Sequence, residues 1–266
     1  RLDAELLLCH VLGLTNRIDL YTGFERPLTC AEVDAYREFV RRRAAREPVS
    51  HILGYRDFMG IRFHVTPAVL APRPETEILV EEAVRRIEGR TAAVPDPVVE
   101  ESGSGAPAEN EAGAQDGEAV DSPAAPRPTE ARVLDLGTGS GCIGVSVAAL
   151  CPGATVVATD IDPAALAVAR TNAEDAGVAD RVELRQGDLF AACTPGETFD
   201  LILCNPPYVA EGDPEVWPEV RDYEPKVAVF SGADGFEFHQ RVAAEAETWL
   251  NPGGALLLEV GAGQAE

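Results

Sequence analysis

The sequence predicts an α/β fold in which a doubly wound, mostly parallel sheet follows a small N-terminal helical domain and a connecting β-hairpin. Three observations predict it. From Arg132 onward, short apolar strands alternate with helical segments, as in a parallel sheet covered by helices. A glycine-rich turn follows the first of these strands. Residues 1–50 instead show the apolar spacing of amphipathic helices.

The first 50 residues are expected to form a helical domain. Apolar residues recur on one helical face from Leu2, and Gly13 is placed to end that helix. Thr29 and Glu32 have the spacing of a capping box, which predicts the start of a second helix, and Pro48 stops it. The inner face of the second helix is predicted to carry Val33, Tyr36 and Val40.

Residues 51–71 are expected to form the connecting β-hairpin. The β-favouring segment is Phe58–Val65, with Gly60 near its turn. The third domain, 72–266, then begins with Pro72–Glu77, which opens a helix through about Ile87, because Pro74 suits a first-turn position and acidic residues favour that end.

Within the third domain, residues 89–131 differ in composition from the rest. They are rich in Ala, Pro, Gly, Ser, Glu and Asp and have almost no large apolar side chains, so we expect a disordered acidic insertion. Between Pro95 and Glu130 lie nine acidic residues and one arginine, and the whole chain has a net charge of −23. Most of the negative charge therefore lies outside the insertion.

Alternating strands and helices follow the insertion. The strands are predicted at Val133–Leu136, Thr155–Asp160, Arg181–Gln186, Phe199–Cys204 and Ala255–Val260. The helices are predicted to end near Leu150, to span Pro163–Ala176 with Asp162 as the cap, and to span Gly235–Leu250.

A glycine loop after the first strand predicts a nucleoside-type cofactor. Gly137, Thr138, Gly139, Ser140 and Gly141 form the loop, whose glycines allow positive φ and close approach of a ligand. Asp160 ends the next strand, where a carboxylate can accept hydrogen bonds from ribose hydroxyls. Gly139, Gly141 and Gly144 also satisfy a dinucleotide fingerprint, so the loop alone does not distinguish a dinucleotide from S-adenosyl-L-methionine.

Asp188 and Leu189 follow the third strand of this region. The carboxylate of Asp188 is placed to bind an adenine amino group, with Leu189 against the ring. Asp188 can equally cap a turn at the end of the strand, and the sequence leaves both interpretations open.

The tetrapeptide Asn205-Pro206-Pro207-Tyr208 favours methyl transfer. It leaves the carboxyl end of a buried strand, where open α/β sheets bind ligands. The Asn205 side-chain oxygen and the Pro206 carbonyl can accept both hydrogens of an NH2 group, and Tyr208 can stack on a conjugated plane. An amide or aromatic amine is a poor nucleophile, so two acceptors and alignment with a sulfonium methyl group supply what the reaction needs.

These motifs resemble the PrmC/HemK family, the protein-(glutamine-N5) methyltransferases of class I peptide chain release factors. The resemblance covers essentially the whole chain except Gly89–Ala131. The segments that carry it are Arg1–Leu8, Glu47–Gly54, Ala71–Glu77, Val133–Gly141, Asn205–Tyr208, Tyr223–Pro225 and Gly232–Gly235. The N-terminal helices and the Arg-Pro-Glu-Thr-Glu segment are more specific than Asn-Pro-Pro-Tyr, which DNA and RNA amino-methyltransferases share.

The resemblance implies the class I S-adenosyl-L-methionine-dependent methyltransferase fold and methylation of the glutamine in a release factor's Gly-Gly-Gln loop. It implies cofactor contacts from Gly137–Gly141, Asp160, Leu189 and Asn205, and a glutamine held by Asn205–Tyr208. It also places Arg73, Glu75 and Thr76 near the site. Residues 1–50 would recognise the substrate, and the protein would be cytoplasmic, or in an organellar matrix if eukaryotic.

Two departures from the family concern length. The insertion is longer than the usual connection, and the chain ends after the fifth strand, whereas relatives continue into a last β-hairpin. Since the chain also begins at Arg1 within a helical pattern, we expect truncation at both ends, which leaves a preceding targeting peptide open.

Composition weighs against several other functions. A net charge of −23 disfavours a nucleic-acid substrate, although an adenine or cytosine methyltransferase remains the alternative. The basic cluster Arg41–Arg43 with Arg46 is a solvated helix face or a docking site.

The six cysteines show no metal-site spacing, and no apolar run is long enough to span a membrane. An oxidoreductase would leave Asn205–Tyr208 unexplained, and an adaptor without activity is a further alternative.

Overall fold

The structure, a computed structural model, describes residues 1–91, 130–261, 263 and 264. The predicted acidic insertion, 89–131, lies outside the described residues except at its edges. There a helix extends to Thr91, four residues beyond the predicted end, and a strand begins at Ala131.

Four helices form the N-terminal region: α1 (Leu2–Leu12), α2 (Ile18–Thr22), α3 (Cys30–Ala44) and α4 (Val49–Leu53). The predicted caps are confirmed. Gly13 ends α1 with a φ of 66°, a left-handed conformation that favours glycine. At the start of α3, the Glu32 amide donates to the Thr29 hydroxyl (3.3 Å) and the Thr29 amide donates to the Glu32 carboxylate (2.8 Å), a complete capping box. The helix α4 lies across the boundary expected at residue 50.

The predicted inner face of α3 is wrong at Val40, which is 42% exposed. Helix α3 packs on α1 through Tyr36, as predicted, and through Phe39 and Arg43 instead of Val40. The Tyr36 hydroxyl donates to the Ala4 carbonyl (3.2 Å), the Phe39 ring lies 5.7 Å from the His10 ring, and Arg43 contacts Asp3 at 2.7 Å. This packing leaves Val40 on the solvent side of the helix.

The predicted hairpin consists of β1 (Tyr55–Phe58) and β2 (Ile61–His64), paired antiparallel. Its turn is Met59-Gly60, with φ values of 49° and 74°, the left-handed pair that suits a two-residue hairpin. Phe58 and Phe63 are buried and meet edge to face, with ring centroids 6.0 Å apart. The hairpin therefore joins the main core.

In the described part of the third domain, five strands form a parallel sheet: β3 (Ala131–Leu136), β4 (Ala154–Asp160), β5 (Val182–Gln186), β6 (Phe199–Cys204) and β7 (Leu250–Leu258). The strand order is β5-β4-β3-β6-β7, a doubly wound arrangement with the first strand at its centre. Strand β7 begins five residues before its predicted start. The helices are α5 (Glu77–Thr91), α6 (Cys142–Leu150), α7 (Pro163–Asp175), α8 (Pro218–Tyr223), α9 (Lys226–Val229) and α10 (Glu237–Trp249).

Buried side chains on both faces of the sheet form the core. Val133 and Leu201 point into one cluster, which contains α5, α6 and the hairpin phenylalanines. Leu134 and Ile202 point into the other cluster, which contains residues of α10. This alternation along each strand follows from the two-residue period of extended chain and confirms helices on both faces.

The register of the sheet brings the motifs together. Leu136 pairs with Thr159 on β4 and with Cys204 on β6, and Leu258 pairs with Cys204. The carboxyl ends of these four strands are therefore level, so the glycine loop, Asp160 and Asn205 leave the sheet at one edge. Among the described residues, no helix is long and apolar enough to cross a membrane.

Candidate active site

A cavity of about 220 Å3 lies at the carboxyl ends of the central strands. It opens where the loops after β3 and β6 leave in opposite directions, the place at which doubly wound sheets bind ligands. Most of the predicted site residues line it: Gly137, Thr138, Gly139, Ser140, Asp160, Asp188, Leu189, Asn205, Pro206 and Pro207. Gly141 does not line the cavity, and Tyr208 lines a neighbouring one.

The glycine loop leaves room along the cavity wall. Gly137 and Gly139 have φ values of 66° and 55°, and an added Cβ at either would meet no protein atom within 4 Å. Gly141 differs, since a Cβ there would approach Val145 and Ala169 at 3.2 Å. Protein packing thus explains glycine at 141, whereas the open space at 137 and 139 is free for a ligand.

Asp160 holds the loop as well as facing the cavity. Its Oδ2 accepts a hydrogen bond from the Gly139 amide (2.8 Å), and its Oδ1 accepts one from the Asp162 amide (2.9 Å). An ionised carboxylate has about four acceptor positions, so capacity for two hydroxyl groups remains. Burial raises the pKa of Asp160, and the backbone amides oppose that shift.

Asp188 forms an ion pair that the sequence analysis did not anticipate. Its Oδ2 accepts from Nη2 of Arg241 on α10 at 2.6 Å, and both residues line the cavity. The Asp188 side chain does not cap the 3-10 helix Leu189–Ala192 that follows it. Leu189 is buried, and its φ of 49° is costly for a branched side chain, so its place in the wall is held by surrounding packing.

Asn205, Pro206 and Pro207 stand in a wall shared by two cavities. The second cavity, of about 410 Å3, also contains Tyr208 and Trp217. The Asn205 side-chain nitrogen donates to the Thr76 hydroxyl at 3.1 Å. That bond turns the side-chain oxygen of Asn205 away from Thr76.

Arg73 lines both cavities and pairs with a buried acid. Its Nη2 lies 2.6 Å from Oε2 of Glu224, whose side chain is 1% exposed. Burial raises the pKa of Glu224, and the Arg73 guanidinium lowers it. The family resemblance implies that Arg73 lies near the site, but no local sequence pattern identifies Glu224 as its partner, because 151 residues separate the two.

The Tyr208 hydroxyl contacts a carboxylate that sequence analysis missed. It donates to Oε1 of Glu259 at 3.3 Å. Burial and the nearby negative charge of Glu259 raise the pKa of Tyr208 to about 12, so the phenol stays protonated at neutral pH. Glu259 follows β7 directly, and no motif spacing in the sequence marks it.

Asp135 is a fully buried carboxylate beneath the glycine loop. Its Oδ2 accepts from the Thr138 hydroxyl (2.6 Å) and the Gly144 amide (3.0 Å), whereas Oδ1 has no partner among the described residues. Burial raises the pKa of Asp135 to about 6 against those two hydrogen bonds. The described residues contain no cluster of His, Cys, Asp and Glu that could hold a metal ion.

The basic cluster at the end of α3 and just after it forms ion pairs within the chain. Arg41 pairs with Glu38 and Arg42 with Glu47. Arg43 and Arg46 both contact Oε1 of Glu219 on α8, at 3.2 and 3.4 Å. The contacts with Glu219 join the helical region to the part of the third domain beside the second cavity. Because these arginines already pair with carboxylates of the chain, their positive charges are less available to a phosphate backbone.

Two sequence families match the chain. Residues 1–54 match the PrmC N-terminal domain, and residues 122–219 match the methyltransferase small domain. Proteins named release factor glutamine methyltransferase align over nearly the full chain. The one from Geobacter sulfurreducens is 42% identical, covering 100% of this chain and 78% of its own length. Those from Rhodopirellula baltica and Bordetella pertussis are 40% identical and are covered over 76% and 83% of their lengths.

Solved methyltransferase structures align over parts of the chain. An RNA methyltransferase from Salinibacter ruber in complex with S-adenosyl-L-homocysteine is 27% identical, with a TM-score of 0.34, over 51% of this chain and 69% of that one. The T. thermophilus 16S rRNA N2 G1207 methyltransferase, in complex with AdoMet and guanosine, is 21% identical, with a TM-score of 0.46, over 77% and 40%. The fold assignment rests on the strand order of the chain itself.

Proposed function

The chain belongs to the release factor glutamine methyltransferase family, and from that membership we propose that it is a protein-(glutamine-N5) methyltransferase. It uses S-adenosyl-L-methionine to methylate the side-chain amide nitrogen of the glutamine in the Gly-Gly-Gln motif of class I peptide chain release factors. One observation carries the proposal. Asn205–Pro207 form the wall between a cavity suited to a nucleoside cofactor and a second, open cavity suited to a peptide side chain.

The first cavity fits the cofactor. Gly137 and Gly139 leave open space along the loop, and Asp160 keeps acceptor capacity for the ribose hydroxyls. Leu189 offers an apolar surface for the adenine ring, and Asp188, although paired with Arg241, is an acceptor for its amino group. When bound, S-adenosyl-L-methionine supplies a methyl group on a positively charged sulfur.

The residues of the wall prepare the nitrogen that is methylated. The Asn205 side-chain oxygen and the Pro206 carbonyl accept the two hydrogens of the glutamine amide, which favours electron density on nitrogen and fixes its direction. Pro206 and Pro207 stiffen the backbone that carries these acceptors. Tyr208, protonated and fixed through Glu259, gives a flat face for the planar amide. Alignment, and no strong base, is what these residues supply.

The helical region, residues 1–50, recognises the release factor in this proposal. Its docking beside the second cavity supports that role. Arg43 and Arg46 hold Glu219, and the Tyr223 hydroxyl donates to the Ala45 carbonyl at 2.7 Å. A protein bound to the helices would thus lie next to the entrance through which its glutamine must pass. We place the reaction in the cytoplasm, where release factors act, or in an organellar matrix.

The alternative is an amino-methyltransferase acting on adenine or cytosine. The net charge of −23 and the paired arginines of α3 weigh against a nucleic-acid substrate. A competition assay separates the two. Radiolabelled S-adenosyl-L-methionine is incubated with the protein, a purified class I release factor, duplex DNA and RNA, and the label is counted in each. Label in the release factor supports the proposal, and label only in nucleic acid contradicts it.

A further inference from the structure

Glu259 lies beside the catalytic tetrapeptide because of the sheet register. Leu258 of β7 pairs with Cys204 of β6, and the Glu259 amide extends the ladder by donating to the Cys204 carbonyl at 3.0 Å. Glu259 and Asn205 are therefore adjacent at the carboxyl edge of the sheet. A carboxylate in a half-buried place such as this needs hydrogen-bond donors.

Among the described residues, hydrogen bonds satisfy only one oxygen of this carboxylate. The Tyr208 hydroxyl donates to Oε1 at 3.3 Å, whereas Oε2 is buried and has no partner among the described residues. Thr76 is 2% exposed, and its hydroxyl oxygen accepts from the Asn205 amide nitrogen at 3.1 Å. The hydroxyl hydrogen of Thr76 then needs an acceptor of its own, and Oε2 of Glu259 is a buried acceptor without a partner among the described residues. Thr76 also lowers the pKa of Glu259, which indicates that the two side chains interact.

An ionised carboxylate can only accept hydrogen bonds, so Glu259 determines the direction of the hydrogen bonds that Thr76 and Asn205 make. With Glu259 as acceptor, the Thr76 hydroxyl donates toward Glu259 and presents a lone pair to Asn205. Only the NH2 end of the Asn205 amide can use that lone pair. The oxygen of Asn205 is thereby turned toward the shared cavity wall.

We propose that Glu259 is a positioning residue that, through Thr76, keeps the oxygen of Asn205 facing the amide to be methylated. The inference rests on the proposed function, since it assigns the orientation of an acceptor for a substrate NH2 group. If the Asn205 side-chain amide were reversed, its NH2 group would face the NH2 group of the substrate amide, and two donors cannot hydrogen-bond to each other. The methyl-transfer step would then slow, whereas the affinity for the cofactor would change little.

The charges around Glu259 are compatible with this role. Burial raises the pKa of Glu259 above its ordinary value, and the polar side chains of Thr76, Tyr208 and Asn205 oppose that rise. Glu75 adds a repulsive charge from the neighbouring 3-10 helix Pro74–Thr76, and Arg73 faces Tyr208 with the opposite sign. Cys142 and Cys204 also lie within the field of Glu259, and burial keeps both as neutral thiols. On the α10 side, Nε2 of His239 lies 2.9 Å from the Glu259 backbone carbonyl oxygen.

The test compares two substitutions with a matched control. Glu259→Gln keeps the size of the side chain but adds an NH2 donor, which can reverse the Thr76 hydroxyl. Thr76→Val removes the hydroxyl at constant shape, and Thr76→Ser keeps it. We expect Glu259→Gln and Thr76→Val each to lower kcat for release factor by roughly 10- to 100-fold, with KM and cofactor Kd changed less than about 3-fold. Thr76→Ser should stay close to the wild type.

The double variant separates positioning from general packing. If Glu259 acts through Thr76, Glu259→Gln combined with Thr76→Val loses no more activity than the more affected single variant. Cofactor Kd, measured by calorimetry, reports whether each variant is folded. If Glu259→Gln does not fold, the contrast between Thr76→Val and Thr76→Ser still decides whether the hydroxyl directs Asn205.

Each result has a distinct meaning. The inference would be overturned if kcat were unchanged in Glu259→Gln, or if it were equal in Thr76→Val and Thr76→Ser. It would also be overturned if the fold-losses in kcat of the two single variants multiplied in the double variant. A wild-type protein that leaves the release-factor glutamine unmodified would instead overturn the proposed function. The two failures are thus distinguishable, because the first appears only among variants of an active enzyme.

Discussion

The Gly139 amide donates a 2.8 Å hydrogen bond to Oδ2 of Asp160, so one carboxylate shapes the glycine loop and faces the cavity that the loop borders. This contact links the end of β4 to the glycine loop that follows β3. Removing the charge of Asp160 should therefore affect the cofactor in two ways, by loss of an acceptor and by loosening the loop.

Asp160→Asn should weaken S-adenosyl-L-methionine binding by about 10- to 100-fold, because a hydrogen bond to a charged acceptor is worth about 1.5–3 kcal/mol. Isothermal titration calorimetry measures the effect. Asp180→Asn, on an exposed turn away from the cavity, is the control and should bind as the wild type does. Equal affinity in both variants would remove Asp160 from the cofactor site.

Asp135 should make stability depend on pH. Its folded-state pKa of about 6 lies above the ordinary value of 3.8, so the folded protein keeps a proton that the unfolded chain releases. The stabilisation is complete below about pH 4 and is lost as pH rises to about 6. Between about pH 5 and pH 7, the free energy of unfolding should fall by roughly 1 kcal/mol more in the wild type than in Asp135→Asn. Urea denaturation at both pH values measures the difference, and parallel curves would contradict it.

Gly144 is expected to be intolerant of a side chain. A Cβ there would lie 2.9 Å from Oδ2 of Asp135 and 3.0 Å from Val156. Gly144→Ala should lower the free energy of unfolding by about 1–3 kcal/mol. The control is Gly89→Ala in α5, where a Cβ meets no atom within 4 Å, and it should raise stability by about 0.5–1 kcal/mol. Unchanged or raised stability of Gly144→Ala in thermal or urea unfolding would show that the packing beneath the loop is looser than described.

Glu219 should hold the helical region against the third domain. Its Oε1 contacts both Arg43 and Arg46, whereas Glu38 pairs with Arg41 within α3 alone. Glu219→Gln should cost at most about 1 kcal/mol of global stability, since such pairs are partly exposed. It should nevertheless speed hydrogen exchange at the start of α8, and Glu38→Gln should not. Unchanged exchange in Glu219→Gln would mean that the ion pairs do not restrain this interface.

Local chemistry explains which parts of the fold were predictable. The capping box at Thr29 and the turn at Gly60 depend on neighbouring residues, and both were predicted correctly. Val40 was misassigned because the packed stripe of α3 is decided by where α1 lies, through Phe39 and Arg43. Helical spacing alone does not choose between adjacent stripes.

In the candidate site too, some features could be predicted from local sequence and others could not. Its backbone motifs, from Gly137 to Asn205, follow strands and could be recognised from the sequence. The residues that pair with these motifs could not be recognised from the sequence, because tertiary structure alone brings them into contact. Arg241 reaches Asp188 across 53 residues, and Glu259 reaches Tyr208 across 51. Burial of Glu259 depends on the pairing of β6 with β7, which no local pattern encodes.

The most direct measurement maps the methylated atom. The protein, S-adenosyl-L-methionine and a class I release factor are incubated, and the Gly-Gly-Gln peptide is sequenced by tandem mass spectrometry beside a reaction with Asn205→Ala. We expect one methyl group on the glutamine side-chain nitrogen with the wild type, and a rate lower by about 100- to 1,000-fold with Asn205→Ala at saturating S-adenosyl-L-methionine. A methyl group on another residue, or equal rates for the two proteins, would contradict it.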